Sequence, residues 1–339
     1  MPKAAGGLVG GQRRPVPEAE PEAVREATEL SERAAKPAVV HNILVGTAGW
    51  TDPTLVRGGL FYPSGATKSE SRLRYYAEHF ALVEVDATYY TLLPASVAAK
   101  WAEHTPSAFS FDVKSFPVLT GHPIDIGRLS RDLRERFASA GYSARAKPSS
   151  LPPELGALLE QHFRAMLEPL LGSGKLGSVL LQYPPWFVAS RGNARLIEET
   201  AERWSTVPLS VEFRHPSWLT EQRRARVLEL LTRRGLSFVC VDEPDAVAGS
   251  LSAVTAVTSP RLAVMRMHGR NHENWRRGAT VQERFNYLYS TRELQSLVGR
   301  AVKLAGEAER VHVVFNNCVR NYAVLNAKGF AALLGEAMG

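Results

Sequence analysis

A (β/α)8 TIM barrel, α/β in class, is the fold this sequence predicts, on three observations. Eight short apolar runs rich in β-branched residues recur along the chain, each ends in polar residues and a loop, and a helical segment then follows. The stretch from Ile43 to Gly339 supplies the roughly 250 residues that eight strand-helix units need. Barrel enzymes gather their chemistry at the C-terminal ends of the strands, so the polar residues ending the runs are expected to converge on one mouth.

The runs are Ile43 to Trp50, Leu82 to Tyr90, Phe109 to Lys114, Val179 to Pro184, Leu209 to His215, Phe238 to Asp242, Leu262 to Gly269 and Val311 to Asn317. Ahead of them, residues 1–40 are rich in Ala, Glu, Arg and Pro with little large apolar content, which predicts a disordered or loosely helical tail before a single barrel domain over 41–339. Between the third and fourth runs, Thr120 to Gly177 is far longer than an ordinary barrel loop. It holds a basic helical part, Arg128 to Arg136, and an amphipathic run from Leu155 to Leu171 that predicts the third helix. After the seventh run, Gly269 to Tyr289 carries Arg270, His272, Trp275, Arg276, Arg277 and Arg284. Both long connections are expected on the catalytic face.

Apolar residues are 45% of the 339 and charged residues 22%, enough to bury a large core without crosslinks. Two cysteines, Cys240 and Cys318, offer neither a disulfide framework nor a metal knuckle, which predicts a cytoplasmic protein. No run reaches the ~18 apolar residues of a membrane span, and the first residues lack the apolar stretch of a signal peptide, so a soluble protein that is not exported is expected. A net charge of +7 favours polyanions only weakly. Nothing in the sequence speaks to oligomeric state.

Strand alternation assigns the lumen. The helix-facing set must be apolar, so Val83, Val85 and Ala87 point outward and Glu84, Asp86 and Thr88 inward. The same rule sends in Asp112, Lys114, Gln182, Ser210, Glu212, Arg214, Asp242, Arg266, His268 and Asn316. Five carboxylates, three fixed cations and one histidine are thus expected in one volume. Such ions cost several kcal/mol each to desolvate, roughly, which favours a functional pocket over a merely structural layer.

The chain resembles the domain of unknown function 72 family, whose bacterial members include the YecE-like proteins. The resemblance rests on Gly46-Thr-Ala-Gly-Trp50, Phe61-Tyr-Pro63, Val83-Glu-Val-Asp-Ala-Thr-Tyr-Tyr90, Val113-Lys114, Leu181-Gln-Tyr-Pro-Pro185, Val211-Glu-Phe-Arg-His-Pro-Ser-Trp218, Arg266-Met-His-Gly-Arg270 and Phe315-Asn-Asn317. It covers nearly everything from Ile43 to about Leu334 and implies the same barrel while leaving the reaction open. The family's Thr-His after the third strand corresponds here to Thr120-Gly-His122.

Metal-free acid-base chemistry suits the charge mixture. Glu212 and His268 are expected to move protons beside Arg266, with Glu84 and Asp242 completing the catalytic set. Arg266 and Arg270 are expected on anionic oxygens, near Asn316 and Asn317, where barrels often hold phosphate. Asp86, Lys114, Gln182 and Arg214 are expected to bind substrate. So is His215, although a loop histidine that fixes the turn before Pro216 explains it as well. Trp50, Trp218, Trp186, Trp275, Tyr89 and Tyr90 predict an aromatic rim suited to bases or sugar faces.

The expectation is an enzyme acting on a phosphorylated or nucleic-acid-derived substrate, with no cofactor. One rival is a divalent metal on Glu84, Glu212, Asp242 and His268, serving a phosphodiesterase or sugar isomerase resembling endonuclease IV-like barrels. Another is a non-catalytic nucleic-acid-binding protein using Arg128 to Arg136 and Arg270 to Arg284. Retaining glycoside hydrolysis is disfavoured, because Gln182 and His268 occupy the strands on which barrel glycosidases commonly carry their carboxylates.

Overall fold

The computed structural model describes residues 18–244, 251, 254–275 and 280–339. Eight parallel strands close into a barrel: β1 (Ile43–Ala48), β2 (Leu82–Val85), β3 (Ser110–Lys114), β4 (Leu176–Gln182), β5 (Leu209–Glu212), β6 (Ser237–Asp242), β7 (Ala263–Met267) and β8 (Val311–Phe315). Closure comes where β8 pairs with β1, Val311 opposite Ile43, and β1 pairs with β2, Gly46 opposite Leu82. A two-residue strand, Val39–Val40, adds an antiparallel edge to β1. The apolar residues of one parity, such as Val83, Val85, Phe111 and Val113, are buried under the helices, as the alternation requires.

Most strands stop short of the polar residues that end their runs. β2 ends at Val85, and Ala87–Tyr90 is a helical turn. Thr88 makes that turn by donating its hydroxyl to the carbonyls of Val85 and Lys114. Strand alternation therefore describes Glu84 but not Thr88 to Tyr90, which corrects the expected extension of this strand.

The 20-residue helix Pro153–Gly172 is the predicted third helix, with Leu159, Phe163, Met166, Leu167 and Leu170 buried along one face. The insertion before it carries the helix Arg131–Ser139 and a small ladder of Ile124–Asp125 with Arg145–Ala146. Between β6 and β7 no helix appears among the described residues, so the helical segment expected there is absent from them. β-Branched residues and Pro260 disfavour a helix, and side chains tie the segment down instead. Thr258 Oγ1 accepts from Phe238 N and donates to Leu236 O, while Arg300 reaches Thr255 Oγ1 and the carbonyls of Val241 and Val254.

Of the tail expected to be disordered or loosely helical, the second half is a packed helix. Pro21–Glu32 is a helix packed on the C-terminal helix Tyr322–Met338, with Ala27 and Leu30 buried. Leu30 seats against Gly329, where a β-carbon would lie 3.0 Å from its methyl. Residues 1–17 of the expected tail, and Arg276 and Arg277, lie outside the described residues.

At Gly46 the first two strands approach so closely that an added β-carbon would sit 2.0 Å from the carbonyl oxygen of Leu82. Backbone that closes the barrel cannot yield as a side chain can. Gly46→Ala is therefore expected to destabilise the protein by about 3 kcal/mol or more, measured by urea unfolding. A loss below ~1 kcal/mol would refute the close-approach account.

Candidate functional site

Arg266 occupies the middle of the barrel, 1% exposed, and reaches from β7 to two carboxylates. Its Nε and Nη2 donate to Glu84 on β2 at 2.7 and 2.5 Å, and Nη1 donates to Glu212 on β5 at 2.5 Å. The other oxygen of Glu212 accepts from Gln182 Nε2 on β4 at 2.7 Å and from Arg214 Nη1 at 3.2 Å. His268 Nε2 lies 3.3 Å from that same oxygen. Asn316 Nδ2 meets His268 Nδ1 at 3.0 Å, so with the amide donating, the neutral ring carries its proton on Nε2, toward Glu212.

One guanidinium facing two buried carboxylates makes them unequal. Burial drives the Glu84 carboxyl up to about 7, Asp86 adding to the rise against the pull of Arg266. Burial pushes Glu212 up too, but Arg266, His268 and Arg214 outweigh it and hold it well below the usual carboxylate range. Burial lowers His268 to about 4, so its ring is neutral at pH 7. Glu84 is thus the group in this layer that takes up a proton near neutrality.

Above this floor the strand ends enclose a cavity of about 760 Å³. Trp50, Asp86, Tyr89, Lys114, Gln182, Arg214 and Asn316, all expected at the site, line it together with Asp52, His122, Arg284, Phe285 and Cys318. Lys114 Nζ stands 3.6 Å from Asp86 Oδ1 and 4.7 Å from the centre of the Tyr89 ring. Asp86 Oδ1 and Arg284 Nε are buried atoms without hydrogen-bond partners. Trp50 is held as a wall by donating its indole N–H to Ser69. His122, lowered to about 4 by burial and the Lys114 charge, pairs through Nδ1 with Thr120 Oγ1 and packs edge-on against Tyr89 and Trp186.

The polar residues expected in one volume divide among several places. Glu84, Glu212, Arg266 and His268 form the floor. Asp242 is held by Arg270, at 2.9 and 2.8 Å, and by the Tyr289 hydroxyl at 2.7 Å. Both arginines expected on substrate oxyanions, Arg266 and Arg270, thus have their N–H groups on protein carboxylates. Asp112 lies lower in the lumen, against His312. Asn317 is buried and donates to Tyr287 O and Asn326. His215 fixes its own turn through Ser217, and Trp218 donates to Phe187 O within a stack of Phe187 and Phe213. The four candidate metal ligands do not assemble: among the described residues no three His, Cys, Asp or Glu side chains come together as a metal site. Guanidinium nitrogens occupy the carboxylate oxygens where a cation would bind.

Several lining residues escape strand-end reasoning. Arg284, Phe285 and Cys318 come from long or irregular connections whose path the sequence does not specify. His122 carried a signal in the Thr120-Gly-His122 correspondence, and Asp52 in its position after Gly49-Trp50.

These features define a (β/α)8-barrel protein with a cation-lined pocket at the C-terminal mouth over a sealed ionic floor. The family described as "protein of unknown function DUF72" matches residues 44–339, and the chain belongs to it. It is similar to UPF0759 protein YunF of Bacillus subtilis (strain 168), 30% identical over 296 residues, covering 86% of this chain and 94% of YunF. Among solved structures, a DUF72 family protein of Thermotoga maritima MSB8 is 30% identical with a TM-score of 0.68, over 87% of this chain and 99% of that one. A DUF72 family protein of Enterococcus faecalis V583 is 25% identical with a TM-score of 0.70, over 86% and 95%.

Two outcomes follow from the floor. Glu212 is depressed in the folded state, so its contribution to stability is full above its unfolded value, about 4.3, and is lost as pH falls. In Glu212→Gln the acid-side fall of the urea midpoint should be shallower by about one proton. An unchanged slope would show that Glu212 is not held ionised. Glu84 runs the opposite way: its contribution is full below its unfolded value and is lost as pH rises through about 7. Carboxyl carbon NMR should place its midpoint near neutrality in the native protein and lower in Asp86→Asn, which removes a charge that raises it.

Proposed function

We propose that the protein is an enzyme acting on a small phosphorylated or nucleic-acid-derived substrate held in the C-terminal mouth. The observation that carries this reading is the pocket's polar inventory: three cations, Lys114, Arg214 and Arg284, and two carboxylates, Asp52 and Asp86, the latter beside Lys114. The cations suit anionic oxygens, and the aromatic faces of Trp50, Tyr89 and Phe285 suit a sugar or base. Asp86 takes the proton from the reacting group, and Lys114 stabilises the negative charge that develops. The floor residues Glu212 and His268 act from beneath, through Gln182, Arg214 and Asn316, which touch both layers. Two free thiols, Cys240 and Cys318, are in keeping with a reducing cytoplasm.

Binding by the insertion's basic part alone is a weaker reading, because two of its arginines are met locally. Arg128 lies 3.5 Å from Asp125, and Arg131 lies 2.9 Å from Glu135. The exposed rings of Tyr90 and Trp186 at the rim instead extend the mouth itself toward a larger nucleic-acid fragment.

Profiling against phosphate monoesters, nucleotides and short oligonucleotides tests the proposal. Lys114→Ala is expected to weaken binding about tenfold or more, and Asp86→Asn to lower kcat about a hundredfold while the fold is kept. Full turnover in both variants would overturn it.

A further inference from the structure

We propose a second ligand site at the opposite, N-terminal mouth of the barrel, built around His312 and Asp112, for a small anion that also carries a hydroxyl group. A cavity of about 560 Å³ opens there among the starts of β4 to β8, and His312 lines it. His312 is fully buried, and its Nδ1 stands 3.0 Å from both oxygens of Asp112. Ser178 Oγ donates to Asp112 as well, at 3.2 Å, and Ser210 Oγ stands 3.0 Å from Ser178 Oγ. The carboxylate therefore holds the ring's proton on Nδ1 and fixes its orientation. The far nitrogen, Nε2, is buried and has no hydrogen-bond partner.

An imidazole serving only to fill the barrel would have both nitrogens satisfied or be replaced by an apolar side chain. Here the chain makes room for it. Gly177 faces the pair at a register shift between β3 and β4, and a β-carbon there would lie 2.5 Å from Asp112 Oδ1 and Ser110 Oγ and 2.6 Å from His312 Cε1. At the rim stand Arg261 and Arg310, both exposed, with Glu309 the acidic residue among the lining groups. With the ring's proton held on Nδ1 by Asp112, Nε2 is left to accept a hydroxyl proton, while the two guanidiniums take the anionic end. Hydroxy-carboxylates and phosphate monoesters share that chemistry. This site is separate from the mouth pocket, whose lining shares no residue with it.

Imidazole NMR of the full chain, with His312 assigned by comparison with His312→Gln, tests the proposal using glycerate and glycerol 3-phosphate as probes. One or both should shift the His312 signals saturably. Arg261→Ala with Arg310→Ala, both on the exposed rim, should weaken that binding about tenfold without changing the melting temperature. Preference between the probes identifies the anion. Three results would overturn the site: no His312 shift with either probe, equal affinity in the rim variant, or a shift abolished by Lys114→Ala, which would place the ligand at the other mouth.

Discussion

The structure depends on the guanidinium of Arg266 bridging Glu84 and Glu212. β7 is three strands from β2 around the ring and two from β5, so the bridge crosses the lumen rather than joining neighbours. A wholly buried ionic tie of this kind gains little stability over apolar packing, because desolvation offsets the Coulomb attraction. What it does provide is position. Glu84 is gripped by two donors and Glu212 by Arg266, Gln182 and Arg214, so neither carboxylate can turn without breaking charge-assisted hydrogen bonds.

That tie divides the barrel into levels with different chemistry. Above it, the mouth is roomy, aromatic and cationic. Below it, the Asp112–His312 pair and the serines of β4 and β5 occupy the N-terminal end. Gln182, Arg214 and Asn316 face the mouth while bonding to the floor, so a ligand that moves any of them changes the field at Glu212 or His268. To one side, Asp242 with Arg270 and Tyr289 anchors the long connection after β7 against the end of β6. Two residues attractive as chemistry, Asp242 and Arg270, thereby become positioning groups for that connection.

Much of this was legible in residue order. The period-two pattern of β2 named Glu84 as inward-facing, and the same pattern named Glu212, Arg266 and His268. His312 shares the parity of Asn316, so alternation places it inward too; attention to strand ends passes over it because it lies near the start of β8. The pattern failed where hydrogen bonding ended a strand early. Thr88 satisfies the carbonyls of Val85 and Lys114 with its hydroxyl, and the chain turns helical at Ala87, which no alternation rule contains. Between β6 and β7 the described residues are instead held by side chains, Thr258 bonding to the backbone of Leu236 and Phe238 and Arg300 reaching Thr255 Oγ1 and Val254 O.

By itself the sequence determined the barrel, the strands that build it and the parity of the ionisable residues they carry, because these follow from local periodicity and from the chain's need to bury one face of each strand. Which charges meet was decided only by the tertiary structure. Partnership depends on the stagger between strands far apart in the chain and on how far each side chain reaches. Arg266 is long enough to take both carboxylates, which leaves Lys114, Arg214 and Arg284 as the cations of the mouth.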